Sequence, residues 1–154
     1  MQAHDQLTTL VRQRTWNKEL ILWFGPEGKL RSALEGIQIR DLDLLDLFTV
    51  AELQSEDDDI RQHISRSLRQ YLKSIPRVAK TRDVLIVRSS GLLARYRVGV
   101  QDFYDWCCDD FAMVILQVEG SCGEGAWPDE VECGPDSLVD YFKDSGMAKR
   151  LIEA

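Results

Sequence analysis

The stretch ELILWFGPEGKLRSAL, residues 19–34, decides the fold reading. Glu19–Phe24 is a short, mainly apolar run that stops at Gly25-Pro26, the pattern of a buried strand entering a turn. Lys29–Leu34 then reads as a short helix stopped at Gly36. A strand that passes through glycines and a lysine into a helix is the setting of a phosphate-binding loop. There, backbone N–H groups wrap anionic oxygens, a lysine reaches the terminal phosphates and a hydroxyl binds magnesium. On that reading Gly25, Gly28 and Lys29 are the candidate nucleotide-binding residues.

The full signature, G-x-x-x-x-G-K-[ST], is not met. Two residues separate Gly25 from Gly28 where four are needed, and Leu30 stands in place of the hydroxyl. Glu27 sets a carboxylate where phosphates would lie, a like-charge contact. An ATPase of this kind ends its central strand in an aspartate that holds magnesium. Here the run Val84–Val87 is followed by Arg88, opposite in sign. The motif is a degenerate Walker motif with two readings. It is a strand-to-helix turn that uses glycine for its geometry, or a minimal loop that binds nucleotide weakly without hydrolysis.

Outward from this stretch, helices and strands alternate. Leu7, Leu10 and Val11 share a helical face. Ile37–Ile39 alternates and leads into Asp41–Phe48, a strand edge passing into a helical turn. Ser55 and the carboxylates after it form a helix start. Ile60, Ile64, Leu68, Tyr71 and Leu72 mark one stripe of a helix over about 57–75, ended by Pro76. Asp83–Val87 is the strongest strand signal; Ser89-Ser90-Gly91 turns the chain into Leu92–Tyr96. A helix over about 100–110 and a strand at Ala112–Val118 follow. Glu119–Pro128 reads as an exposed loop and Glu130–Glu132 as an edge strand. Asp136 caps a helix over Ser137–Lys143, and Met147–Ile152 reads as a second short helix. The pattern gives an α/β class: one three-layer domain over residues 1–154, with a mostly parallel sheet and a P-loop-NTPase-like outline.

Two segments carry a family resemblance: ELILWFGPEGK, and RDVLIVRSSGLLARYRVGVQDFYDW followed by MVILQVEG. Over roughly residues 18–120 the order of features resembles the small P-loop-like proteins of BREX phage-defence systems, the families called BrxF and BrxB. The resemblance implies a component of a multi-protein complex that blocks phage replication, alongside a PglZ-type protein, a methyltransferase and larger ATPases. BrxF-like members keep a fuller phosphate loop, from which this chain departs at Leu30 and Arg88, against hydrolysis. Among BrxB-like members that departure matters less.

Composition bounds these readings. With 154 residues, 44% apolar and 29% charged, the chain has a globular balance. No apolar run approaches the roughly 20 residues of a spanning helix. The opening MQAHDQLTTLVRQRTW has no signal-peptide core, so a soluble, cytoplasmic protein without a membrane partner is expected. Cys107, Cys108, Cys122 and Cys133 form no C-x-x-C pair, and His4 and His63 are remote from them. Reduced thiols and no metal site are expected, a Cys122–Cys133 clip being disfavoured in a reducing cytosol. Residues 1–100 carry a balance of +3 and residues 101–154 one of −10. An acidic C-terminal third repels phosphate backbones and favours a basic protein partner.

Three further groups are candidates. Arg66, Arg69 and Lys73 fall at helical spacing as a solvated face, a nucleic-acid contact or a dock for an acidic partner. No aromatic cluster accompanies them to stack bases. Asp102, Asp105, Asp109 and Asp110 read as the outer face of a helix whose Phe103 and Trp106 pack inward. Trp127, in the glycine-rich acidic segment 120–135, is a candidate interface anchor. Asp136, Asp140 and Asp144 are the acidic partner-binding candidates. No Ser/His/Asp or Cys/His set can be assembled. The expected function is a non-catalytic scaffold or adaptor without cofactor. The alternatives are a nucleotide-binding switch through Lys29 or weak DNA binding through Arg66, Arg69 and Lys73.

Overall fold

Strands that are apolar at every position need two buried faces, which a parallel sheet between helical layers supplies. The computed structural model describes residues 3–13, 16, 19–24, 27–47, 57–75, 77, 78, 80–90, 92, 93, 96–107, 111–118 and 150–153. Among them, β1 (Glu19–Phe24), β2 (Gln38–Asp43), β3 (Asp83–Arg88), β4 (Ala112–Val118) and β5 (Arg150–Glu153) form one sheet. Its order is β2-β3-β4-β1-β5 and every pairing is parallel. The helices are α1 (Ala3–Val11), α2 (Glu27–Ala33), α3 (Asp57–Ser74) and α4 (Gln101–Cys107), with a 3₁₀ turn at Leu44–Leu47. No described helix is long and apolar enough to cross a membrane.

Alternation along the strands divides the core into two. Leu20, Leu22, Leu85, Val87, Val114 and Leu116 face α3 and α4, together with Ile60, Ile64, Leu68, Leu72, Phe103 and Trp106. Ile21, Trp23, Val84, Ile86, Met113 and Ile115 face α1 and α2. The chain leaves β1 through α2 on one face and travels to the far edge strand β2. It returns through α3 and α4 on the other face, by way of β3, to β4. Opposite directions on opposite faces give the crossovers one hand, as the crossover rule requires.

Most element readings hold, with shifted ends. α2 begins at Glu27, two residues before Lys29, and its exit turn places Gly36 at φ 82°, where glycine is favoured. The C-terminal reading is corrected. Arg150–Glu153 is not helical but a strand paired with β1, Leu22 opposite Leu151 and Trp23 opposite Ile152. β1 would otherwise present an open row of backbone groups at the sheet edge, and pairing them outweighs the weak helical preference of four residues. The loop, edge strand and helix expected over 119–149, the Ser55 cap and Pro76 lie outside the described residues.

The link from α3 to β3 is pinned by charge. Asp83, 4% exposed at the head of β3, holds Arg40 Nε of β2 at 3.2 Å and lies 3.8 Å from Arg77 Nη1. Arg77, its side chain 3% exposed, stacks over Trp106 at 5.6 Å and donates to the carbonyl oxygens of Thr81 and Cys107. On the opposite face Arg82 repeats the device. It lies 4.9 Å over Trp16 and donates to the carbonyls of Val11, the last residue of α1, and of Gln13 just beyond it. Asp83→Ala strands a buried guanidinium, and a loss of about 3–5 kcal/mol in urea unfolding is expected. A loss below about 1 kcal/mol would show that the carboxylate does not hold Arg77.

Candidate functional site

In an open parallel sheet, ligands sit beyond the carboxyl ends of the strands where the crossover direction reverses. Here the connection after β1 passes over one face and that after β3 over the other, so the reversal falls across β1, β4 and β3. The residues that converge at this edge are Glu27 and Arg31 of α2, Asp41 and Asp43 of β2, Arg88 of β3, Ser89 and Ser90 after it, and Gln117 of β4.

The two departures from a phosphate loop meet each other. Arg88 Nη2 is ion-paired with Glu27 Oε1, across 61 positions of sequence. Arg31 Nη2 lies 3.3 Å from the same Glu27 oxygen and also pairs with Asp41 Oδ1, which is 4.0 Å from Arg88 Nη2. Glu27, Arg88, Asp41 and Arg31 thus close a ring of alternating sign in which each charge faces two opposite ones. All four are partly exposed, so the ring positions α2 more than it stabilises the fold. Its chemistry is that of a neutralised site. The guanidinium that could receive an anion is already matched by a carboxylate from the loop itself.

Around the ring the geometry is fixed. Ser89 has φ 57°, a left-handed conformation that costs a side-chain-bearing residue about 1–2 kcal/mol. Its Oγ donates to Asp43 Oδ1 at 2.7 Å, and that oxygen also accepts the Leu45 N–H at 3.0 Å. Ser90 Oγ donates to the Gln117 carbonyl at 2.9 Å. On the α1/α2 face, Trp23, Gln117 and Arg88 lie side by side on β1, β4 and β3. Trp23 Nε1, Gln117 Oε1 and Arg88 Nε are each buried without a hydrogen-bond partner. Two donors and an acceptor side by side are a polar seam, costly unless filled.

The sequence candidates separate clearly. Leu30, in the place of the magnesium hydroxyl, is 0% exposed and packs into the α1/α2 core, so it points away from the edge. Lys29 is exposed in α2. Gly28 is also helical and exposed, with open space where a Cβ would stand, so the turn does not require glycine there. Gly25 lies outside the described residues, as do Trp127, Asp136, Asp140 and Asp144. Arg66, Arg69 and Lys73 are exposed on α3, and Arg69 Nε bonds Asp102 Oδ1 at 3.4 Å. Phe103 and Trp106 pack inward as read. Cys107 is buried and in no disulfide, and the other cysteines are outside the described residues. The sequence signal for the Glu27–Arg88 pair was its signs, an acid where phosphate belongs and a base where the metal's acid belongs, but nothing in the spacing told that the two meet. The strained Ser89 and the seam of unpaired atoms had no sequence signal.

No protein-family model matches the chain, and no curated protein matches it. Among solved structures, it is similar to a chain in the structure of Drosophila ORC bound to DNA. The identity is 13% and the TM-score 0.39, with 84% of this chain and 39% of that chain covered. The chain therefore spans well under half the length of that neighbour. The strands, layers and parallel order define an α/β fold with an all-parallel sheet among the described residues.

Gly28→Ala is expected to raise stability by about 0.5–1 kcal/mol in thermal or urea unfolding, because an exposed helical glycine gains from a methyl group that meets nothing. A loss instead would mean that something approaches the α2 backbone closely.

Proposed function

We infer that this domain is a non-catalytic subunit that acts by binding other proteins, with the P-loop-like fold kept as a scaffold. One observation carries the reading. The Arg88–Glu27 pair fills the place of phosphate and metal with a matched ion pair from the chain itself. Leu30, buried in the core, offers no hydroxyl to magnesium. Hydrolysis needs electrostatic stabilisation of a transferring phosphoryl group by metal and cations. A guanidinium neutralised by its own loop supplies little of it.

The residue-class resemblance to BREX components supports a place in a cytoplasmic phage-defence assembly, with a PglZ-type protein, a methyltransferase or a large ATPase as partner. The balance of −10 over residues 101–154 suits a basic partner surface. The second reading, a nucleotide-binding switch, draws on Lys29, exposed in the first turn of α2.

Calorimetric titration with ATP and magnesium separates the two readings. The native protein and Lys29→Ala are expected to give no saturable heat. Glu27→Gln, which releases Arg88 and Arg31, is expected to gain weak anion binding that does not need magnesium. Saturable binding by the native protein that Lys29→Ala abolishes would overturn the scaffold reading in favour of the switch. For the partner, reversing Asp136, Asp140 and Asp144 to lysine is expected to reduce co-purification of basic partner proteins. Unchanged recovery would remove the acidic surface from the account.

A further inference from the structure

A pocket of about 450 Å³ opens between α3 and α4, on the face opposite α2. Arg77, in its wall, pairs with Asp83 at the head of β3. The pocket therefore lies at the amino ends of the strands, away from the Glu27–Arg88 ring. Its volume falls within the range of small-molecule sites. The interior combines an apolar floor with a charged rim. Leu72, Ile75 and Trp106 make the floor, and Trp106, 7% exposed, is locked by its Nε1 donating to the Ile75 carbonyl at 2.9 Å. The Arg77 guanidinium behind the ring is held by the carbonyls of Thr81 and Cys107 and by Asp83. The small part of the indole left exposed is held rigid by that hydrogen bond and by the cation over its ring, and with Leu72 and Ile75 it makes an apolar floor for a ligand's apolar body.

The rim decides the charge of the ligand. Asp102 and Asp105, on α4, are already acceptors: Asp102 Oδ1 takes Arg69 Nε at 3.4 Å and Asp105 Oδ1 takes Gln101 Nε2 at 3.0 Å. On the α3 side Arg69 engages Asp102 through Nε alone, leaving its Nη groups without a partner among the described residues. Lys73, exposed on the same rim, has none there either. The α4 side of the rim thus keeps carboxylate acceptors, with Asp105 facing only a neutral amide. On the α3 side Arg69 and Lys73 stand one helical turn apart above an apolar floor, as two adjacent cationic donors that can share one carboxylate. We propose that this pocket binds a small amphipathic organic anion, its carboxylate held by Lys73 and Arg69 and its apolar body set against the floor of Leu72, Ile75 and the exposed edge of Trp106. Two of the three basic residues read from the sequence as a stripe belong to this site, and Arg66 does not line it.

The test uses the whole chain and three probes of one shape: naphthalene-1-acetate, its neutral amide, and 1-naphthylmethylammonium. Binding is followed by ¹H–¹⁵N NMR, with the Trp106 indole signal assigned from Trp106→Phe. Naphthalene-1-acetate is expected to shift that signal saturably with a Kd on the order of 1 mM or tighter. The amide and the amine should bind at least tenfold more weakly. Lys73→Gln, an exposed change, should weaken the acid by about tenfold, whereas Arg66→Gln should leave it unchanged. Equal binding of the amide or preference for the amine would overturn the proposal. So would an equal loss in Arg66→Gln, no loss in Lys73→Gln, or the absence of saturable shifts up to about 10 mM.

Discussion

Asp83 is the point through which both ends of the α3–β3 connection are held. Its carboxylate is removed from water, and it faces Arg40 from the neighbouring strand and Arg77 from the connection itself. Such a cluster contributes little net stability over an apolar alternative, because desolvating the charges costs much of what their attraction returns. What it supplies is position. Arg77 cannot move without leaving Asp83 to Arg40 alone, and Arg77 is also the group that caps α4 and backs Trp106. The start of β3, the end of α4 and the floor of the α3–α4 pocket are therefore set by one buried charge. Arg82 and Trp16 do the same for α1 on the other face without a buried carboxylate.

The opposite edge of the sheet obeys a different electrostatic logic. A phosphate-binding edge works by being deficient in negative charge: backbone N–H groups, a lysine and a metal all wait for an anion. Here the anion is built in. Glu27 on the first turn of α2 suits the positive end of the helix and also meets Arg88 and Arg31. Asp41 completes the balance from β2. An external phosphate would have to displace Glu27 from two arginines, and the carboxylate is covalently tethered at high local concentration.

The fold was legible because burial on both faces leaves its mark on every strand. Val84–Val87 and Met113–Leu116 are apolar without interruption, and only a covered parallel sheet accounts for that. The long helix was legible from Ile60, Ile64, Leu68 and Leu72, whose spacing is that of the buried stripe observed. β5 was not, since four residues contain too few periods to tell strand from helix, and its identity is set by the free edge of β1. The candidate site was half legible. Glu27, Leu30 and Arg88 stood out singly as departures from a pattern, but sequence spacing carries no information on whether two residues 61 positions apart touch. The pocket was less so. Arg69 and Lys73 read as a surface stripe because periodicity describes one helix at a time, and the second wall belongs to α4.

These two ends of one sheet make the domain's economy of charge intelligible. At the carboxyl ends the arginines are consumed internally, each facing carboxylates from the same chain. At the amino ends the buried arginine is likewise matched, by Asp83; of its neighbours on α3, Arg69 is engaged by Asp102 through Nε alone and Lys73 has no partner among the described residues. A cation that is matched positions structure, and one that is left unmatched beside an apolar surface has a reason to meet something from outside. By that criterion the arginines at the edge that looks like a nucleotide site in the sequence position structure, and cations left for an outside partner stand, among the described residues, at the pocket proposed between α3 and α4.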